Sequence, residues 1–219
     1  MTKVITVCNQ KGGVGKTTMT MSLASLWHHQ GKSVVIVDTD RQQSATKWEQ
    51  RSETFPVPVT PILPDQLKTF ASAVRKRAEG ADIVLVDTPP TLAGDTVTIA
   101  CFVADLVLVP IKPDALHIDA LEEFRGFLDE ANAKRAKLEM DPLNVRLVVN
   151  MMPNRKAARL VVEKLEELTG LAALTNRIGD RSDFQLAALN RAGLVEVSAA
   201  TSPAYKELVA LASEIEESL

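Results

Sequence analysis

At 219 residues, 46% hydrophobic and with a formal net charge of −3, the chain is long enough for one α/β domain with a full core and short for two. Its mild acidity (pI near 5.7) excludes a protein that coats nucleic acid through bulk positive charge, though not one with a local basic face. No run approaches about 18 uninterrupted apolar residues, and the N-terminus enters a strand pattern with no basic-then-apolar leader, so a soluble, cytoplasmic protein is expected.

The first run, Lys3-Val4-Ile5-Thr6-Val7-Cys8, alternates and is rich in β-branched residues, which predicts a buried strand; from Thr17 onward the pattern is helical. Between them lies Lys11-Gly12-Gly13-Val14-Gly15-Lys16-Thr17-Thr18. Its glycines let backbone N–H groups turn inward, and the helix start adds its positive end, so polyphosphate would be held mainly by main chain. Lys16 is then the expected cation on the β- and γ-phosphates, and Thr17 the hydroxyl for Mg²⁺. Lys11 is one lysine more than that pattern needs.

With Asn9 and Gln10 in front, this segment resembles the deviant Walker A box of the ParA/MinD ATPases. In that family two subunits sandwich two ATP molecules, and the signature lysine of each reaches the phosphates bound by the other. The resemblance implies ATP and Mg²⁺ as cofactors, a homodimer formed on ATP binding, and nucleotide contacts from Gly12, Gly13, Val14, Gly15, Lys16, Thr17 and Thr18. It also implies that Lys11 acts in trans, as an arginine finger does, by placing a cation where charge develops on the transferring phosphoryl.

Further strand-like runs span Ser33 to Val37, Ile83 to Val86, Leu106 to Val109 and Val145 to Val149, with helical patterns between them. That alternation predicts a single domain over 1–219, built as a doubly wound, mostly parallel sheet flanked by helices. The second run ends in Asp38-Thr39-Asp40, at the carboxyl end of a strand, where open α/β sheets bind ligands. By resemblance this is the first switch region, in which Asp40 positions the attacking water close to Mg²⁺ and Asp38 supports the site. The family usually continues with proline, and this chain has Arg41.

Phe55 to Pro64 carries four prolines, which donate nothing to a ladder, so it reads as an extended connector or a short edge strand. Asp65 is placed to cap a helix in which Leu67, Phe70, Ala71, Val74 and Ala78 follow i, i+3, i+4 spacing. Ile83-Val84-Leu85-Val86-Asp87 resembles the Walker B element, so Asp87 is expected to hold the Mg²⁺ shell through water. Cys8 and Cys101 sit in apolar surroundings and read as small buried hydrophobes. Neither lies in a glycine-rich loop, as bridging an iron–sulfur cluster in the manner of the nitrogenase iron protein requires. Asn150-Met151-Met152-Pro153 resembles the family's adenine-recognition turn, with Asn150 offering a donor and an acceptor to the base and Pro153 beside it.

Two readings of what such a switch acts on remain open. In ParA-type proteins the ATP dimer binds nonspecific DNA and is released when a ParB-like or cargo adaptor stimulates hydrolysis, which would make the protein nucleoid-associated. The candidate phosphate contacts are Arg155, Lys156 and Arg159, with Arg177, Arg181 and Arg191 beyond. With the phosphate loop so near residue 1, no N-terminal operator-reading domain is expected. Membrane positioning of the MinD kind needs a C-terminal amphipathic helix with a basic face. Ser202 to Leu219 has an apolar face of Tyr205, Leu208, Val209, Ala212 and Ile215, but its charges are Glu207, Glu214, Glu216 and Glu217 against Lys206. Anionic lipid repels such a helix, so this face is expected to pack on the core and no membrane partner is expected.

Overall fold

The β-branched runs form strands β1 (Lys3–Val7), β2 (Val34–Asp38), β3 (Val59–Pro61), β4 (Ile83–Asp87), β5 (Leu106–Ile111) and β6 (Val145–Val149). The computed structural model describes residues 2–62, 70–92, 95–113 and 115–219. The helices are α1 (Lys16–His29), α2 (Ser44–Gln50), α3 (Phe70–Ala78), α4 (Asp95–Phe102), α5 (Ala115–Ala136), α6 (Lys156–Glu163), α7 (Leu165–Thr169), α8 (Ser182–Asn190), α9 (Leu194–Val197) and α10 (Pro203–Glu217). Asp65 and Leu67 lie outside the described residues; α3 is seen from Phe70, whose ring is fully buried.

Every strand pairing is parallel, in the order β3-β2-β4-β1-β5-β6. Alternate strand residues point to opposite faces, and both faces are covered. Ile5, Val7, Ile36, Leu85 and Leu108 pack with α1, α9 and α10. Val107, Val109, Leu147 and Val149 pack with α4 and α5, and Val37, Val84 and Val86 with α3. This double burial is why the strands read as continuous apolar runs. The proline-rich connector contributes β3 as a three-residue edge strand.

Helix α1 is buried on every side from Met19 to Trp27, because it lies between the sheet and the C-terminal helices. Ser202 caps α10, its Oγ accepting from the Tyr205 amide at 3.1 Å, with Pro203 at the first helical position. Leu208, Leu211, Ala212 and Ile215 of α10 are buried, and Trp27 Nε1 donates to Glu216 at 2.6 Å. The apolar face of the acidic last helix therefore belongs to the core. No helix among the described residues is long and apolar enough to cross a membrane.

One element carries no signal in the sequence. Residues 172–180 run alongside β6 as an irregular parallel extension of the sheet. The Leu174 amide donates to Leu147 and the Ile178 amide to Val149, both at 2.9 Å, while Met152 donates back to Ile178 at 2.9 Å.

Candidate functional site

Parallel strands bring their carboxyl ends to one side of the sheet, and there the loops after β1, β2, β4 and β6 meet. In the first loop, Gly13 and Gly15 take φ of 71° and 90°, the left-handed region that glycine enters without strain. Helix α1 starts at Lys16 with Gly15 as its N-cap, no side-chain cap and no acid in its first turn. Its first-turn amides and positive end are thus left to an anion. Lys16 is largely buried and donates to the Lys11 carbonyl at 3.1 Å. Burial lowers its pKa, opposed first by the charge of Asp87. A partly dehydrated ammonium at the mouth of a ring of amides is a strong phosphate ligand.

Lys11 is exposed at the rim. Its backbone is fixed, since its amide donates to Asn9 Oδ1 at 2.9 Å and Asn9 Nδ2 donates to the Pro110 carbonyl at 2.8 Å.

Asp38 and Asp87 end adjacent strands in register. Asp87 Oδ2 accepts from Thr17 Oγ1 at 2.8 Å and Oδ1 from Thr20 Oγ1 at 3.5 Å. Burial pushes the Asp87 carboxyl up to about 7; the Thr17 hydrogen bond and Lys16 pull against it, while Asp38 and Asp40 add to it. Asp38 is raised as well, again by burial. It accepts from the amide and hydroxyl of Thr46 at 2.8 and 2.9 Å and from the Asp40 amide at 3.1 Å. These donors tie Asp38 to the start of α2, so it shapes the loop in which Asp40 stands. Asp40 is half-buried, accepts from the Gln42 amide at 2.9 Å and closes a turn with Gln43, whose φ is 50°. Arg41 sits exposed within that turn.

Among the described residues no group of three or more His, Cys, Asp or Glu side chains is placed to hold a metal alone. Thr17 and Asp87 nonetheless offer two hard oxygen donors side by side, which fits Mg²⁺, an ion that takes its remaining ligands from phosphates and water.

The Asn150 side chain is engaged from within. Its Nδ2 donates to the Val14 carbonyl at 2.7 Å, so it braces the glycine loop. Asn150 also lines, with Thr18, Met19 and Met151, a largely apolar cavity of about 140 Å³. Ile178, Gly179, Asp180, Arg181, Phe184, Gln185, Ala188 and Leu208 form the rest of its wall. Those residues come from the irregular sheet extension, α8 and α10, and no motif in the sequence marks them as nucleotide contacts. Pro153 lies outside this cavity, in a neighbouring cleft with Arg155, Arg159, Asp180 and Arg181.

Arg155, Lys156 and Arg159 are exposed around the start of α6. Of the six basic candidates, Arg155, Arg159 and Arg181 border one cleft. Arg181 is already paired with Glu207 at 2.5 Å, and Arg191 lies 5.9 Å from the ring centre of Trp48. Arg177 is exposed and borders no part of that cleft. Cys8 and Cys101 are fully buried side by side, Sγ to Sγ 3.7 Å, between β1 and α4.

Residues 5–194 match the family model described as the CobQ/CobB/MinD/ParA nucleotide binding domain. The chain is 23% identical over 211 residues to the maintenance of carboxysome distribution protein A of Halothiobacillus neapolitanus, covering 96% of this chain and 95% of that protein. It is 33% identical over 156 residues to the chromosome-partitioning ATPase Soj of Thermus thermophilus, covering 59% of this chain and 62% of that protein. The ATP complex of Cyanothece McdA is similar in fold, with a TM-score of 0.76 over 99% of this chain and 96% of that one, at 15% identity.

Proposed function

Since the chain belongs to the CobQ/CobB/MinD/ParA nucleotide-binding family, we propose that it is a Mg²⁺-dependent ATPase working as a dimerising switch in DNA partition or intracellular cargo positioning. The observation that carries this reading is the meeting of three features at one end of the sheet. The uncapped glycine loop with the buried Lys16 suits a phosphate, the Thr17–Asp87 pair suits a magnesium shell, and Lys11 stands exposed at the rim. A lysine free of its own phosphate cradle is available to a nucleotide held by a second copy.

The loop amides and Lys16 hold the β- and γ-phosphates. Bound Mg²⁺ would neutralise phosphate charge, with Thr17 supplying one oxygen and Asp87 orienting coordinated water. Asp40, held in its turn by Asp38 and Gln42, accepts a hydrogen bond from the attacking water. Lys11 crosses to the partner's phosphates and stabilises the charge that develops there. Hydrolysis then depends on the dimer, and an adaptor that stabilises the crossed arrangement sets its rate.

Arg155, Lys156 and Arg159 are the side chains best placed for nonspecific DNA, being exposed and clustered. Binding of this kind puts the protein on the nucleoid. A MinD-like membrane role is the alternative, and the buried apolar face of α10 argues against it. The full-length similarity to a protein named for carboxysome distribution keeps protein cargo beside plasmid or chromosome as the load.

The test is binding to a random-sequence duplex with ATP, with ADP and without nucleotide, at two salt concentrations, with anionic liposomes in parallel. ATP-dependent, salt-sensitive DNA binding without liposome binding is expected. Liposome binding, or binding to neither, overturns the DNA reading.

A further inference from the structure

The outer wall of the apolar cavity from Ile178 to Arg181 is a stretch of backbone with no regular secondary structure, and α10 holds it. Glu207 accepts from the Gly179 amide at 2.9 Å and from Arg181 at 2.5 Å (Nη2) and 3.4 Å (Nε). Two turns further along the same face, Glu214 accepts from the amides of Thr175 and Asn176 at 2.6 and 2.8 Å. On the inner side of this stretch, the Ile178 carbonyl accepts from Met152. The wall is therefore clamped from both sides, by β6 and its loop within and by two carboxylates without. The Arg181 side chain folds across Gly179 so closely that a Cβ there would lie 2.7 Å from Nε, so any side chain at 179 would displace the guanidinium from its present position. Leu208, next to Glu207, is buried and lines the cavity itself.

We infer that Glu207 is a positioning residue for nucleotide-base recognition: by fixing Gly179 and Arg181 it sets the gap between the outer wall and the Asn150–Met151 wall into which a flat heterocycle slides. This rests on reading the cavity as the base site of the nucleotide, because Asn150 and Thr18 join it directly to the glycine loop and the start of α1. Charge-assisted hydrogen bonds from a helix anchored in the core are stiff enough to hold such a gap, and a binding face that drifts no longer packs closely on a planar ligand. Glu214 pins the same stretch at Thr175 and Asn176, which do not line the cavity. It serves as the internal control.

The experiment compares dissociation constants for ATP and for inorganic tripolyphosphate, both with Mg²⁺, in the wild type and in Glu207→Ala, Glu207→Gln and Glu214→Ala. Tripolyphosphate engages the glycine loop and has no base. Glu207→Ala, which removes the acceptor of all three of these hydrogen bonds, is expected to weaken ATP about tenfold, a loss the size of one charge-assisted hydrogen bond, and to leave tripolyphosphate unchanged. Glu207→Gln, which keeps an acceptor for Gly179 and removes the charge facing Arg181, should fall between, and Glu214→Ala should keep the wild-type ratio. Equal weakening of both ligands by the Glu207 variants would mean general loosening and overturn the inference, as would undiminished ATP affinity. A wild type that binds ATP no better than tripolyphosphate overturns the base-site reading itself, a failure visible before any variant is made.

Discussion

The side-chain nitrogen of Asn150 occupies the space that a Cβ on Gly15 would need. The loop after the last strand thus reaches back to the loop after the first, and the approach is possible only because residue 15 has no side chain. Two segments at opposite ends of the strand sequence are locked at the point where phosphate binding begins.

Gly15→Ala is expected to abolish measurable ATP binding, since it adds a steric collision to a backbone held at φ 90°. Asn150→Ala removes the collision partner and leaves the Val14 carbonyl without its donor, at a cost of about 1–3 kcal/mol. The double variant should recover part of the affinity that Gly15→Ala removes, because the collision is gone and the backbone strain remains. Calorimetric titration of the three proteins with ATP checks this; additive losses would refute the coupling.

Lys11→Ala should bind ATP as the wild type does and show no stimulated hydrolysis, measured as phosphate release with and without adaptor. Asp40→Ala should hold an ATP-bound dimer on gel filtration, because the water loses its acceptor while the loop and Lys16 keep the nucleotide. Full turnover by the first variant, or a monomer of the second in saturating ATP, would count against these roles.

Asp87 gives the nucleotide-free protein a pH dependence. Its folded carboxyl stands at about 7 because of burial, against about 3.9 in an unfolded chain. The folded state therefore holds a proton that the unfolded state releases. This contribution to stability is fully present below about pH 4 and is lost as the pH rises through about 7. Urea midpoints of the nucleotide-free protein should fall across that window, and Asp87→Asn should flatten the decline; an unchanged slope in the variant would assign the effect elsewhere.

Arg155→Ala and Arg159→Ala should each weaken random-sequence DNA binding and lower the steepness of its salt dependence by about one unit for each phosphate no longer neutralised. Arg181→Ala should spare that dependence, because Glu207 already occupies its guanidinium. Filter binding across a salt series separates the three. An equal effect of Arg181→Ala would show that the ion pair opens on DNA.

What could be read in advance follows from how local each piece of chemistry is. The glycine loop, Lys16, Thr17, Asp38, Asp40 and Asp87 lie on short strand-to-loop segments whose composition is fixed by the strand before and the anion or ion beside them. The five apolar runs were legible for the same reason, double burial leaving few polar interruptions. β5 nevertheless runs to Ile111, beyond the Val109 end read from the sequence, because its last residues pair with β6 after β1 has ended. The outer wall of the cavity was not legible. Gly179, Arg181 and Phe184 become pocket residues only through hydrogen bonds to β6 and α10, and no spacing within residues 172–188 encodes those partners. The place of Asn150, in the turn after the last strand, was legible. That its amide would be spent on Val14 depends on a fold-wide approach no local pattern contains.

The glutamates of α10 also bear on how copies of this protein can meet. A sheet normally ends in a row of unpaired amides that invites a strand from another molecule. At one flank Glu207 and Glu214 have taken those of Thr175, Asn176 and Gly179. At the other, Pro56, Pro58 and Pro61 thin out the donors around a strand only three residues long. Among the described residues both flanks of the sheet thus carry features that disfavour strand addition from another copy.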